Sequence, residues 1–313
     1  VQRRLLEPGP RQFFQETDTW QGTFGLRGTL SNGWAWEVAG SFGRNTAVDG
    51  STNIANLERV RNTINTSICS SAPTAAIPCG DYLGYGDLTP QVLNYILFTS
   101  RDRGGNQLGT VTADLNGKLF DLPAGPLSFA TGVVYRKGKG WRDPDPLTVL
   151  GIANTNQQSP ISGSSIAKEA YLELSVPILA DTPFFKELTF DGAVRYSDYD
   201  LFGGDWNYKL SLDWKLNDDI RLRGTYGTGF RIPNVPELFG GVSEGNLTTS
   251  DPCSRYSTSG NATLIANCQA SGVPANYIQL GNTILTTVGG NQKLQPESST
   301  TWTIGTVFSP KGL

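Results

Sequence analysis

A chain of 313 residues can hold one large β domain or two ordinary ones, and its 38% hydrophobic content would make a thin core for a soluble globule of that length. A net charge of −3 argues against a nucleic-acid-binding surface, and the absence of histidine removes both a nucleophile–histidine pair and a mixed Cys/His metal site. No run approaches the ~20 apolar residues of a membrane helix, so any crossing of a bilayer must be made by strands. No leader is legible, the first residue is Val1, and methionine is absent throughout. The chain therefore reads as part of a longer one.

Val1–Thr19 has no clean period and reads as a lead-in. Trp20–Leu30 alternates, with Trp20, Phe24, Leu26 and Leu30 against Gln21, Thr23, Arg27 and Thr29. Ser31-Asn32-Gly33 is a hairpin signal, and Trp34–Arg44 follows with Trp34, Trp36, Val38 and Phe42 on its apolar side. Three tryptophans around one strand end suit an interfacial aromatic girdle. A polar segment from Asn45 to about Gln107 carries one predicted short helix, capped by Thr89 with Pro90 in its first turn.

Strand character returns at Val111–Leu119 and, after the turn Asp121–Pro126, at Leu127–Arg136. Lys137 to about Ile166 reads as a second polar loop. Ala167–Val176 and Leu188–Ser197 form the next pair, joined through a proline-bounded turn, Pro177–Glu187. Trp206–Leu216 alternates most cleanly: Trp206, Tyr208, Leu210, Leu212, Trp214 and Leu216 against Asn207, Lys209, Ser211, Asp213 and Lys215. Asn217-Asp218-Asp219 turns into a strand from Ile220 whose arginines, Arg221 and Arg223, oppose Leu222 and Tyr226. It exits at Pro233, which cannot donate to a ladder, and Asn234 and Glu237 have capping-box spacing for one helical turn stopped by Gly240. A very long loop, Gly240 to about Glu297, precedes the last strand, Thr301–Ser309.

About nine strands result, each near the ~9–11 residues that a tilted strand needs to cross a bilayer. Short connections alternate with mostly long ones. That is the pattern of an all-β, antiparallel up-and-down transmembrane β-barrel, present here as a partial, open barrel. The four cysteines form two local pairs, Cys69 with Cys79 and Cys253 with Cys268, in Gly/Ser/Asn/Thr-rich loops, which predicts two disulfides and an oxidising compartment.

The run Phe230-Arg231-Ile232-Pro233-Asn234-Val235-Pro236-Glu237-Leu238-Phe239 resembles the late-barrel motif of TonB-dependent outer-membrane receptors. Leu294-Gln295-Pro296-Glu297, Arg195-Tyr196-Ser197-Asp198-Tyr199 and Gly132-Val133-Val134-Tyr135-Arg136 support the resemblance. It implies a bacterial outer-membrane location and a barrel of about 22 strands closed around a plug. It further implies an energy-coupling complex of TonB type acting through that plug, and lipid around the barrel. No plug, energy-coupling box or terminal aromatic strand is legible, so the whole chain, 1–313, is expected to be part of a single barrel domain.

The function implied is energy-dependent uptake of a scarce small-molecule ligand, an iron–siderophore complex first. An oligosaccharide or cobalamin-like nutrient receptor, a passive porin-type channel, and a soluble secreted lectin or glycosidase are the alternatives. No catalytic residue, cofactor or metal is expected. Arg195, Arg221, Arg223 and Arg231 share inward character on consecutive strands, suiting either an anionic ligand's path or carboxylate partners across the lumen. Trp141, Arg142, Tyr256 and Tyr277, in long loops, are the candidate ligand contacts, since aromatic faces suit sugars and iron chelators alike.

Overall fold

The computed structural model describes residues 5–83 and 88–310, so residues 1–4 of the lead-in and 84–87 of the first long loop lie outside the described residues. The chain winds as an antiparallel meander. Strands β1 (Phe13–Thr29) and β2 (Ala35–Ala55) lead to helices α1 (Leu57–Ile64) and α2 (Pro90–Ile96). Then come β3 (Leu97–Leu122), β4 (Gly125–Asp143), the short α3 (Pro146–Val149), β5 (Ile161–Thr182), β6 (Phe185–Tyr199), β7 (Gly203–Lys215) and β8 (Ile220–Arg231). A further helical turn, α4 (Val235–Phe239), opens the longest connection, which holds β9 (Ser243–Thr248), α5 (Ala262–Ala270) and β10 (Thr283–Val288) before β11 (Glu297–Phe308). Nine of these strands form one sheet in the order β1-β2-β3-β4-β5-β6-β7-β8-β11, which does not close; β9 and β10 pair separately.

The predicted alternation survives as two faces. Leu210 stands between Gly192 and Tyr226, and Tyr226 lies beside Trp302, all on the apolar face. Phe24, Leu26, Val133, Leu172, Leu210, Leu212 and Ile304 all remain exposed on it. An apolar face this large and uncovered suits a bilayer and would aggregate in water. Few side chains are buried on the sheet itself. The compact apolar cluster is elsewhere, around Leu88, Val92 and Ile96 at the base of the first long loop.

Strand ends depart from expectation. β3 runs for 26 residues, about 85 Å at ~3.3 Å per residue, far more than a bilayer requires. Segments read as polar loop, such as Asn45–Ala55 and Lys137–Asp143, are continuations of β2 and β4, and β1 begins inside the expected lead-in. Outside the bilayer both faces meet water, so polar residues on both parities hide the period although backbone pairing continues. Pro177 is a second correction: it lies within β5 opposite Thr189, and the register shifts between Pro177 and Leu179. A bulge accommodates the missing donor, and the true turn lies between Thr182 and Phe185. The turn expected at Asp121–Pro126 is likewise shorter, since Asp121 pairs with Pro126 and Leu122 with Gly125, whereas Asn217–Asp219 turns as read, with Asn217 Oδ1 accepting from the amides of Asp219 and Ile220 at 3.0 and 2.9 Å.

The described parts of the long connections carry structure of their own. Thr89 caps α2 through the Val92 amide at 3.4 Å. Cys69–Cys79 and Cys253–Cys268 are both bonded, as predicted. Neighbouring loops are stitched together: Leu57 N donates to Ile152 O at 2.7 Å and Ala55 N to Asn154 Oδ1 at 2.9 Å. Farther along, the Gln157 amide meets Glu244 Oε2 at 2.8 Å and Ser159 N meets Ser243 Oγ at 3.0 Å.

Candidate functional site

The turn after β8 forms because its sequence supplies both halves of a capping box. The Glu237 amide donates to Asn234 Oδ1 at 2.9 Å, and the Asn234 amide donates to Glu237 Oε2 at 2.7 Å. The same Glu237 carboxylate accepts from Arg231 at 3.1 and 3.3 Å, and Arg231 also donates to Glu297 Oε1 at 2.6 Å. One guanidinium thus joins the end of β8, the turn α4 and the start of β11. The Arg231 hydrogen bond, followed by the Asn234 backbone N–H, holds the Glu237 carboxyl below its ordinary pKa.

The turn folds onto the polar face of the sheet. Gly140 and Gly163 are direct partners across β4 and β5, a bed without side chains. Val235 lies over Gly140, where an added Cβ would sit 3.8 Å from it, and a Cβ at Gly163 would collide with the Phe239 ring. Close approach of α4 therefore requires glycine at 163. Beside this latch runs a groove of about 840 Å³, lined among others by Leu108, Ile161, Ile232, Pro233, Leu238 and Phe239. Trp141 and Arg142 also lie along it.

Both of those residues sit on β4 and not in a loop as expected. Arg142 is bound to Asp102 at 2.6 Å with Asp49 at 3.6 Å, while the Trp141 ring has Arg44 and Lys139 at 5.9 and 5.8 Å from its centre. Tyr256 is 1% exposed, and its hydroxyl donates to Val273 O at 2.8 Å inside the disulfide-bonded lobe of the longest loop. It is a core residue of that lobe and offers a ligand no surface. Tyr277 bonds Asp251 Oδ2 at 3.1 Å, and that bond, with burial next, raises its pKa. It lies in the same lobe, away from the groove.

The arginines are distributed differently from expectation. Arg195 is on β6 and the other three are on β8, with β7 between. Three have carboxylate partners: Arg195 with Glu169, Arg221 with Asp213 at 2.5 Å, and Arg231 with Glu237 and Glu297. Arg223 makes no ion pair among the described residues and lies across Gly305, with Nε 3.5 Å from where a Cβ would stand. Glu169, which sequence reasoning passed over, is the hub of the wall. It accepts from Arg195, from Arg136 at 3.3 Å and from the Tyr199 hydroxyl at 3.2 Å. Its place on the polar parity of β5 was visible; its partners, distant in sequence, were not. No group of acidic and cysteine side chains among the described residues has metal-binding geometry.

Among solved structures the chain is similar to the siderophore receptor PirA from Acinetobacter baumannii, at 14% identity and a TM-score of 0.50, covering 94% of this chain and 33% of that one. It is also similar to the siderophore receptor PirA from Pseudomonas aeruginosa, at 13% identity and a TM-score of 0.40, covering 96% and 52%. The first likeness establishes the fold alone, and the second establishes nothing by itself. The chain thus spans about a third to a half of the length of these proteins. The family model described as TonB dependent receptor-like, beta-barrel, matches residues 3–313. With the open up-and-down sheet, its exposed apolar face and the rim latch in place, the chain belongs to the TonB-dependent receptor-like β-barrel family of the bacterial outer membrane.

Proposed function

We propose that this chain is the ligand-capturing part of an outer-membrane receptor for energy-dependent uptake of a scarce solute, with an iron–siderophore complex as the cargo. The observation that carries this reading is the latch-bordered groove at the mouth of the barrel wall. Its lining is mostly apolar, with the Phe239 ring on the latch side and Arg142 at its edge, which suits an amphipathic chelate better than a small hydrated ion. The β4–β5 and β8–β11 loops beside it are tied to one another through Gln157–Glu244 and Ser159–Ser243, so less ordering entropy opposes capture. The family is one of TonB-dependent receptors, and the solved neighbour with a TM-score of 0.50 is itself a siderophore receptor. A TonB-type energy-coupling complex acting on a plug, and lipid around the barrel, complete the proposal.

Uptake of radiolabelled ferric siderophores by cells carrying the full-length receptor as their only such receptor tests it. Accumulation should stop when a protonophore dissipates the inner-membrane potential. Accumulation that ignores the protonophore, with ion conductance in planar bilayers, would instead make the protein a passive channel. Saturable uptake of an oligosaccharide or a corrinoid, with none of any siderophore, would replace the cargo.

A further inference from the structure

We propose that the membrane-facing surface of β1–β4 carries a binding site for an anionic, phosphate-headed lipid, whose acyl chain lies in a groove between the strands. Three successive cross-strand rows on the apolar parity build it. The upper row is Trp20–Arg44–Gln107–Lys139, the middle one Gly22–Phe42–Gly109–Lys137, and the lower one Phe24–Gly40–Val111–Tyr135. Rows two residues apart are about 7 Å apart along the strands. The surface therefore changes from cationic to wholly apolar within about 14 Å, the profile of a lipid headgroup above its chain.

The rows differ in depth as well as polarity. Gly22, Gly40 and Gly109 carry no side chains, while Phe24, Phe42 and Tyr135 stand beside them, leaving a furrow of about 770 Å³ that ends at Lys137 and Lys139. Its shape fits an extended hydrocarbon chain. At its upper end the Trp141 ring holds Arg44 and Lys139 by cation–π contact from 5.9 and 5.8 Å, so the two cations are gathered above the furrow. Arg44, Lys137 and Lys139 make no ion pair with any described carboxylate. The nearest acid of the same parity, Asp18, lies one row farther up, opposite Thr46, and Asp143, two rows up, faces Arg103 across the ladder. Gathered, exposed and unneutralised cations at the edge of an apolar band match a phosphodiester or phosphomonoester at the membrane surface. The site rests on the membrane placement of this face and not on the cargo of the receptor, so the two readings fail separately.

Native mass spectrometry of the full-length, delipidated receptor tests it, with dioleoylphosphatidylglycerol, dioleoylphosphatidylcholine and soluble glycerol 3-phosphate as probes. The anionic lipid is expected to be retained about tenfold better than the zwitterionic one, and glycerol 3-phosphate hardly at all. The triple variant R44A/K137A/K139A should erase the preference, and Lys139→Gln alone should weaken it about fivefold, the effect of one cation near a charged headgroup. Gly109→Leu should weaken retention of both lipids by filling the furrow; a Cβ there meets Phe42 only at an ordinary 3.6 Å. Heat-modifiable migration on gels verifies that each variant is folded. Equal retention of the two lipids, a preference undiminished in folded Lys139→Gln, or glycerol 3-phosphate binding as tightly as the lipid would overturn the proposal.

Discussion

The barrel wall and its rim use the same chemistry, arginine on carboxylate, in opposite settings. On the wall, Glu169 is almost entirely buried, its side chain 4% exposed, between Arg136 and Arg195. At the rim, Arg231 is 52% exposed and clasps two carboxylates that are themselves open to water. Burial makes the first cluster expensive to disturb, because any charge left without its partner stays desolvated. Exposure makes the second nearly neutral for global stability, because water replaces whatever is removed. The wall cluster therefore holds strands together, while the rim cluster sets where a loop leaves.

The contrast can be broken or sharpened by substitution in a full-length barrel. The largest effect belongs to the wall's membrane face: Leu212→Arg should cost about 2–4 kcal/mol, measured by reversible denaturant unfolding in lipid. A near-neutral result there would remove the membrane assignment of that face. Next comes Glu169→Ala, which leaves Arg136 and Arg195 facing each other without their shared acceptor. The loss should be about 3 kcal/mol, the low end for a broken buried pair because both guanidinium groups are half exposed. If Glu169→Ala and Arg231→Ala prove equally costly, burial is not what separates the two clusters.

At the rim, Asn234→Ala should weaken the turn by about 1 kcal/mol, seen as faster hydrogen exchange of the Glu237 and Leu238 amides with no change in the unfolding midpoint of the barrel. Arg231→Ala should leave global unfolding in place and speed proteolysis within residues 240–296. Arg231→Lys should restore little, since one ammonium cannot fork between Glu237 and Glu297. The smallest effect is the pH dependence of the latch. The Glu237 carboxyl is depressed in the folded state by Arg231 and by the Asn234 amide. Its contribution is therefore complete above the ordinary carboxylate pKa and is lost only as pH falls through the lower, folded value. Exchange of the α4 amides should stay flat at neutral pH and accelerate only in acid; acceleration near neutrality would point to another group.

Much of this molecule was legible before any coordinates. Strict alternation in Trp206–Leu216, loop lengths segregated by side and two local cysteine pairs led to an open up-and-down sheet with two disulfides. The Asn234–Glu237 spacing led to α4. The candidate site was less legible. Trp141 and Arg142 read as loop residues because Lys137–Asp143 has polar residues on both parities, and Tyr256 looked like an exposed aromatic although it fills the core of a lobe. Pro177 read as a boundary, and a bulge allowed β5 to continue past it.

The division follows the range of the interactions. Alternation, capping boxes, tight turns and short disulfide loops are set by residues within about fifteen positions of one another, so the sequence by itself determined the alternating stretches of the strands, the α4 turn and the sidedness of the loops. Partnerships across the sheet join residues far apart in the chain, and many registers are compatible with one periodicity. Only the tertiary structure decided that Gly140 and Gly163 meet beneath Val235 and Phe239, that Glu169 takes Arg136 and Arg195, and that Arg44, Lys137 and Lys139 gather above one furrow.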